Sequence, residues 1–193
     1  MKCPEYVEIN NKKYKINTSF RTAIECNRIA TDTTIGDYER ALAIIYTLYG
    51  NKGLKDYINH NKLLQLAQKY LSCGKEIEQT DEEPDMDFIE DMDYIEASFM
   101  SDYGIDLTSE DMDWYKFTKL LNGLSSSEFG NSCILNRIRA IRNYDLSTIK
   151  DKKERDKMAK LKKQLELKKN KAENHLTKEQ EESMERLNKM LGL

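Results

Sequence analysis

Apolar residues recur at three- and four-residue spacing along most of this chain, and few residues are present that could interrupt a helix. The clearest run is Tyr38, Ala41, Leu42, Ile45, Leu48 and Tyr49, preceded by Asp37 as a cap and followed by Gly50 as a stop. Across 193 residues there are only 8 Gly and 2 Pro, while Lys, Glu, Leu, Ile and Met abound. Glycine and proline are the residues that most cheaply end helices and shape strand turns. The expected fold is therefore mainly α: a multi-helix globular bundle with an extended helical C-terminus. The exception is near the start, where YVEINNKKYKI alternates Tyr6/Glu8 against Val7/Ile9, turns at Asn10-Asn11 and resumes at Tyr14 and Ile16. Two short alternating runs about an Asn-Asn pair predict a small N-terminal β-hairpin.

Helix signals then follow one another. Ser19 can cap a helix presenting Phe20, Ala23, Ile24 and Asn27, and residues 54–73 read as a helix pair or one broken helix ending at Gly74. KEIEQTDEEPD has almost no apolar content and reads as an acidic linker over 75–86. From 86 onward Phe88, Ile89, Met92, Ile95 and Phe99 predict a helix closed by Tyr103-Gly104, and Thr108 can cap a helix with Glu110, Asp111 and Asp113 in its first turn. After a serine-rich loop at 125–132, Leu135, Ile138 and Ile141 share a face; Asp151 with Glu154 opens a lysine-rich helix whose Met158, Leu161 and Leu165 form a narrow seam. Thr177 with Gln180 looks like the capping box of a final short helix. The organisation expected is 1–74 as hairpin plus helices, 75–86 as linker, 87–169 as a second helical half of the same unit, and 170–193 as a tail helix.

The net charge of −3 conceals a strong segregation: residues 1–75 carry +5, residues 76–113 carry −16 with no basic residue at all, and residues 114–175 carry +9. Such blocks favour pairing between unlike segments, within a chain or between chains. The tripeptide Asp-Met-Asp occurs three times, at 85–87, 91–93 and 111–113, each time ahead of an aromatic residue. On a helix the first two copies would lie on different faces, so they form no single carboxylate row. An EF-hand loop starting at Asp85 would have Ile89 and Glu90 where a ligand and the turn glycine belong, so calcium binding is not expected. Cys3, Cys26, Cys73 and Cys133 are too widely spaced, with only His60 and His175 beside them, to suggest a zinc site. No nucleophile elbow, P-loop or dinucleotide fingerprint is present, so no enzyme, metal or cofactor is expected. The lysines and arginines of 137–171 are interleaved with acids, the pattern of an exposed helix more than of a phosphate track. Neither a membrane span nor a signal peptide stands out, which suggests a cytosolic protein.

Four blocks together, VEINNKKYKINTSFR, DFIEDMDYIEASFMSDYGIDL, WYKFTKLLNGL and ILNRIRAIRNYDLSTIKDKKERDKM, resemble the gene-product-fifteen family of tailed phages and prophages of Gram-positive bacteria. The resemblance covers most of 5–165. Trp114-Tyr115 stands where relatives often carry two tryptophans, and the stretch from 168 onward is unmatched. It implies a tail-morphogenesis protein acting in the host bacterial cytoplasm: a tail assembly chaperone, in some systems a frameshift product, that binds tape-measure or tail-tube protein; self-association is a separate expectation for the chain. Candidate partner-binding residues are Trp114, Phe117, Arg137, Arg139, Arg142, Met184, Leu187 and Leu191. The competing readings are a structural virion component at the tail or head-tail joint, and a nucleic-acid binder using Arg137, Arg139, Arg142 and the lysines that follow them.

Overall fold

The computed structural model describes residues 2–75, 84–126 and 132–168. The hairpin forms as expected: β1 (Tyr6–Ile9) and β2 (Lys12–Lys15) pair antiparallel with Val7 opposite Tyr14. Asn10 and Asn11 both take positive φ, +50° and +62°, the left-handed pair that matches strand twist in a two-residue turn. Seven α-helices follow among the described residues: α1 (Phe20–Thr31), α2 (Asp37–Leu54), α3 (His60–Leu71), α4 (Met92–Tyr103), α5 (Trp114–Asn122), α6 (Ile134–Arg142) and α7 (Lys152–Leu165). One-turn 3-10 segments at Tyr57–Asn59 and Leu146–Thr148 lead into α3 and towards α7. No helix among the described residues is long and apolar enough to cross a membrane.

One apolar cluster runs through both halves of the sequence. It takes Ile9, Tyr14 and Ile16 from the hairpin region, Phe20 and Ala23 from α1, Ile45 and Leu48 from α2, Leu63 and Ala67 from α3, Phe99 from α4, Phe117 from α5 and Leu135 from α6. Its middle is a stack of rings: Phe117 lies parallel to Phe20 at 4.6 Å, to Phe99 at 5.2 Å and to Trp114 at 5.7 Å between centroids. Aromatic pairs at such spacings add to the large area each ring buries. The Trp114 indole N–H, which could not be buried unpaired, donates to the Leu71 carbonyl at 2.9 Å. α1 and α2 are joined by five residues, and the Asn17 N–H donates to the Leu48 carbonyl, so the two helices run antiparallel.

Several boundaries depart from the sequence-based expectation, each for a local reason. α4 begins at Met92, not near 86; Asp87 instead folds its carboxylate onto the N–H groups of Ile89 and Glu90, a side-chain turn that competes with helix. Thr108 caps no helix, because it is tied to the Asp106 carboxylate. α5 starts later, capped by Asp113, whose side chain accepts from the Lys116 N–H at 2.9 Å. Residues 111–113 are extended because they pair with the entry to α1: Phe20 N–H donates to Met112, and Trp114 N–H to Thr18. Gly36, not Asp37, precedes α2, and Gly50 kinks that helix at φ +65° without ending it. The caps at Ser19 and Asp151 and the left-handed closure at Gly104 are as expected. Most of the acidic linker and the whole expected tail helix, with Met184, Leu187 and Leu191, lie outside the described residues.

Candidate interaction surface

The acidic segment finds its counter-charges in the two basic blocks that flank it. Arg142, at the end of α6, meets Asp91 in a bidentate pair, both N–H to O distances being 2.7 Å. Its remaining donors reach the Leu165 carbonyl at 2.7 Å and the Asp85 carbonyl at 2.8 Å. The Asp91 side chain is fully buried and that of Arg142 is 10% exposed. Burial by itself would lower the Arg142 pKa, but its hydrogen bond and attraction to Asp91 outweigh that and raise it, so the guanidinium keeps its charge. Arg139 binds Asp85 at 3.1 Å, and Asn143 donates to the other oxygen of the same carboxylate at 2.8 Å. On the opposite flank Arg21 of α1 binds Asp111 at 3.0 Å and the carbonyls of Leu107 and Glu110.

These contacts account for the repeated Asp-Met-Asp units without a metal. Asp85 and Asp91 grip α6, Asp87 shapes the turn before α4, Asp111 holds α1 and Asp113 caps α5, while Asp93 is exposed. Among the described residues no group of three or more His, Cys, Asp or Glu is placed to hold a metal ion. The four cysteines are free; burial pushes the Cys26 thiol up to about 12, and burial also raises Cys3, which lies against the Tyr70 hydroxyl. Neither is set up as a nucleophile, since that role needs a depressed thiol pKa. His60 is engaged with the Leu54 carbonyl at 2.8 Å.

The expected partner-binding residues separate. Trp114 and Phe117, expected among the partner-binding residues, are core residues whose rings are enclosed by Phe20, Phe88 and Phe99. The Arg142 guanidinium is likewise consumed inside the molecule, and the half-buried Arg139 is paired with Asp85. Arg137 alone of the three stands exposed on α6. One contact escaped the sequence reading altogether: the buried Ser98 hydroxyl of α4 accepts from the Leu135 N–H at 3.1 Å, supplying the cap that Cys133 does not. No periodicity links residues 37 positions apart, so nothing local could have revealed it.

What is left on the surface is apolar and charged. Tyr57 and Ile58, adjacent in the turn before α3, are 76% and 80% exposed. At another place Ile24 and Ala30 of α1, with Met86, Phe88, Ile89 and Leu167, line a groove of about 300 Å³ edged by Asp87 and Glu90. The Glu90 carboxylate accepts from the Lys168 N–H there. α7 buries no residue; Met158 and Leu165 are half-buried and Leu161 is exposed among lysines. The arrangement offers surfaces for docking.

No curated protein and no solved structure matches the chain. The family model described as "Bacteriophage Gp15 protein" matches residues 2–167, a span that ends on Leu167, the last buried residue described. The chain belongs to the bacteriophage Gp15 protein family.

Proposed function

We propose that the protein is a tail assembly chaperone of a siphovirus or prophage, binding tape-measure or tail-tube protein in the host bacterial cytoplasm and catalysing no reaction. The observation that carries this reading is the family match over residues 2–167, which supports a phage-related structural or morphogenesis protein. The contact surface we assign is α7 with the chain that follows it. Its outward face combines Leu161 with Lys157, Lys160 and Lys163, so it suits an amphipathic helical segment with acidic flanks. Arg137 is an exposed cation on the neighbouring helix. A helix that spends none of its own residues on the core can detach or bend towards a partner at small cost to the rest of the fold.

The test is capture of neighbouring tail proteins by the tagged chain from co-expressing cells, using full-length protein and a version ending near Asn170. Capture of tape-measure or tail-tube protein, weakened by salt and by Leu161→Asp, supports the chaperone. Absence of any complex, together with recovery of the protein at stoichiometric level in purified particles by mass spectrometry, replaces it with a virion component at the tail or head-tail joint. Retarded DNA or RNA migration lost in Arg137→Ala would instead favour the nucleic-acid reading.

A further inference from the structure

The two apolar features left unused by the fold lie at opposite ends of the α1–α2 pair and differ in charge. Tyr57 and Ile58 follow the C-terminal end of α2 and form the most exposed large apolar pair among the described residues. Lysines stand on the segments next to them. Lys12 reaches Asp56 at 3.0 Å and Lys52 reaches the Lys13 carbonyl at 2.6 Å, which brings the hairpin turn against this knob, while Lys55 and Lys62 flank it in sequence. Asp56, the acid that directly precedes the knob, is already satisfied by Lys12 and Tyr14.

The groove is the complement of that knob. It lies at the C-terminal end of α1, where the buried Ile24 and Leu167 and the half-buried Met86 and Phe88 line it, with the exposed Ala30 and Ile89, the latter 52% exposed, beside them. Asp87 and Glu90 edge it, Glu90 also accepting from the Lys168 backbone N–H, and Arg28, the one cation among the described residues that line it, is engaged by Glu25 at 2.7 Å. An apolar cavity of about 150 Å³ takes a benzene-sized group, so a groove of about 300 Å³ has room for a pair of large side chains. Because α1 and α2 are antiparallel, knob and groove are separated by roughly the length of α2, 18 residues or about 27 Å. Within one copy they cannot meet.

We propose that the protein self-associates head to tail, the Tyr57–Ile58 knob of one copy seating in the groove between α1 and residues 84–90 of the next. A second copy is the occupant that charge selects: a lysine-collared knob meets an acid-edged groove. Knob against knob would oppose lysines to lysines, and groove against groove would oppose carboxylates, so a two-fold symmetric pair through either feature is disfavoured. Contacts between two different surfaces propagate, closing into a ring or extending as a filament according to the rotation between copies.

Two single substitutions make the proposal testable, since both residues are exposed and neither belongs to the core: Ile58→Asp spoils the knob and Ile89→Asp spoils the groove. Sedimentation velocity on the full chain is expected to show species above the 22.6 kDa monomer that grow with concentration and shrink as salt is raised. Each variant alone is expected to sediment as a monomer. Mixed in equal amounts, they retain one good knob and one good groove between them, so they form a pair of copies and nothing larger. Wild-type protein that stays monomeric at every concentration overturns the proposal; if Ile89→Asp then lowers the melting temperature and Ile58→Asp does not, the chain's own C-terminal segment fills the groove. Oligomers that survive both substitutions, or a mixture that remains monomeric, overturn it as well.

Discussion

Two regions of this molecule are held together by different forces. Phe117 and four rings around it, from α1, α4, α5 and the turn before α4, pack face to face and edge to face, with the indole N–H of Trp114 paired to a carbonyl and the Arg21 guanidinium lying over the outer ring, Phe20. At the other extreme α7 buries nothing of its own; it is attached through Arg142 on the Leu165 carbonyl, Lys162 on the Tyr144 carbonyl at 3.0 Å, and Leu167 behind it. Apolar packing is non-directional and sums over area, so it sets the stability of everything it touches. A few directed bonds set where one element sits, and they fail one at a time.

The largest expected effect is therefore in the aromatic stack. Phe117→Ala removes a fully buried ring with four aromatic neighbours, and such truncations cost on the order of 3–5 kcal/mol. Urea unfolding should show that loss as one cooperative transition in which helix content and Trp114 fluorescence move together. A loss below about 1 kcal/mol would mean that the neighbouring rings close the cavity without cost.

Arg142→Met is expected to cost somewhat less, about 3 kcal/mol, because it leaves the Asp91 carboxylate buried without a partner. The informative variant is Asp91→Leu combined with Arg142→Met, which removes both charges and should be more stable than Arg142→Met alone. Hydrogen exchange adds the spatial contrast. In Arg142→Met, amides of α6 and α7 should lose protection while those of α1 keep theirs, whereas Phe117→Ala lowers protection throughout. A cost within the range of an exposed pair, under about 1 kcal/mol, would show that water reaches Asp91.

The same contrast explains what could be read from the sequence. Helical faces such as Ile45/Leu48/Tyr49, the hairpin turn at Asn10-Asn11, and the caps at Ser19 and Asp151 are local patterns, and the structure realises them. Charge segregation announced that the acidic segment would pair with its flanks, but not which acid would meet which arginine. Arg139 and Arg142 looked free because their partners, Asp85 and Asp91, stand more than 50 residues earlier. Asp87 and Asp106 shifted two helix starts because their carboxylates bind nearby backbone more cheaply than a helix turn forms. Trp114 and Phe117 were legible as apolar; whether an apolar face meets core or partner depends on the other elements, which no window of sequence contains.

The smallest effect concerns the ionic hook between the hairpin and the turn before α3. Asp56 accepts the Tyr14 hydroxyl and the Lys12 ammonium group, and these, Tyr14 first, hold its carboxyl down at about 2 against an ordinary 3.8. A carboxylate more acidic in the folded than in the unfolded chain stabilises the fold above the unfolded pKa, and that contribution is lost as pH falls through the folded one. In the wild type the hook should thus be intact down to about pH 4 and disappear progressively towards pH 2. Tyr14→Phe keeps the buried ring but removes the strongest cause of the shift, so its folded pKa moves back towards the ordinary value. Urea midpoints for the two proteins should differ at neutral pH and converge as the solution approaches pH 2, because by then neither has an ionised hook to lose. A constant offset across the acid range would assign the Tyr14 hydroxyl a role independent of Asp56 ionisation. With Phe117 and Arg142 intact in both proteins, the comparison isolates a single hydrogen bond on the hairpin from the packing beneath it.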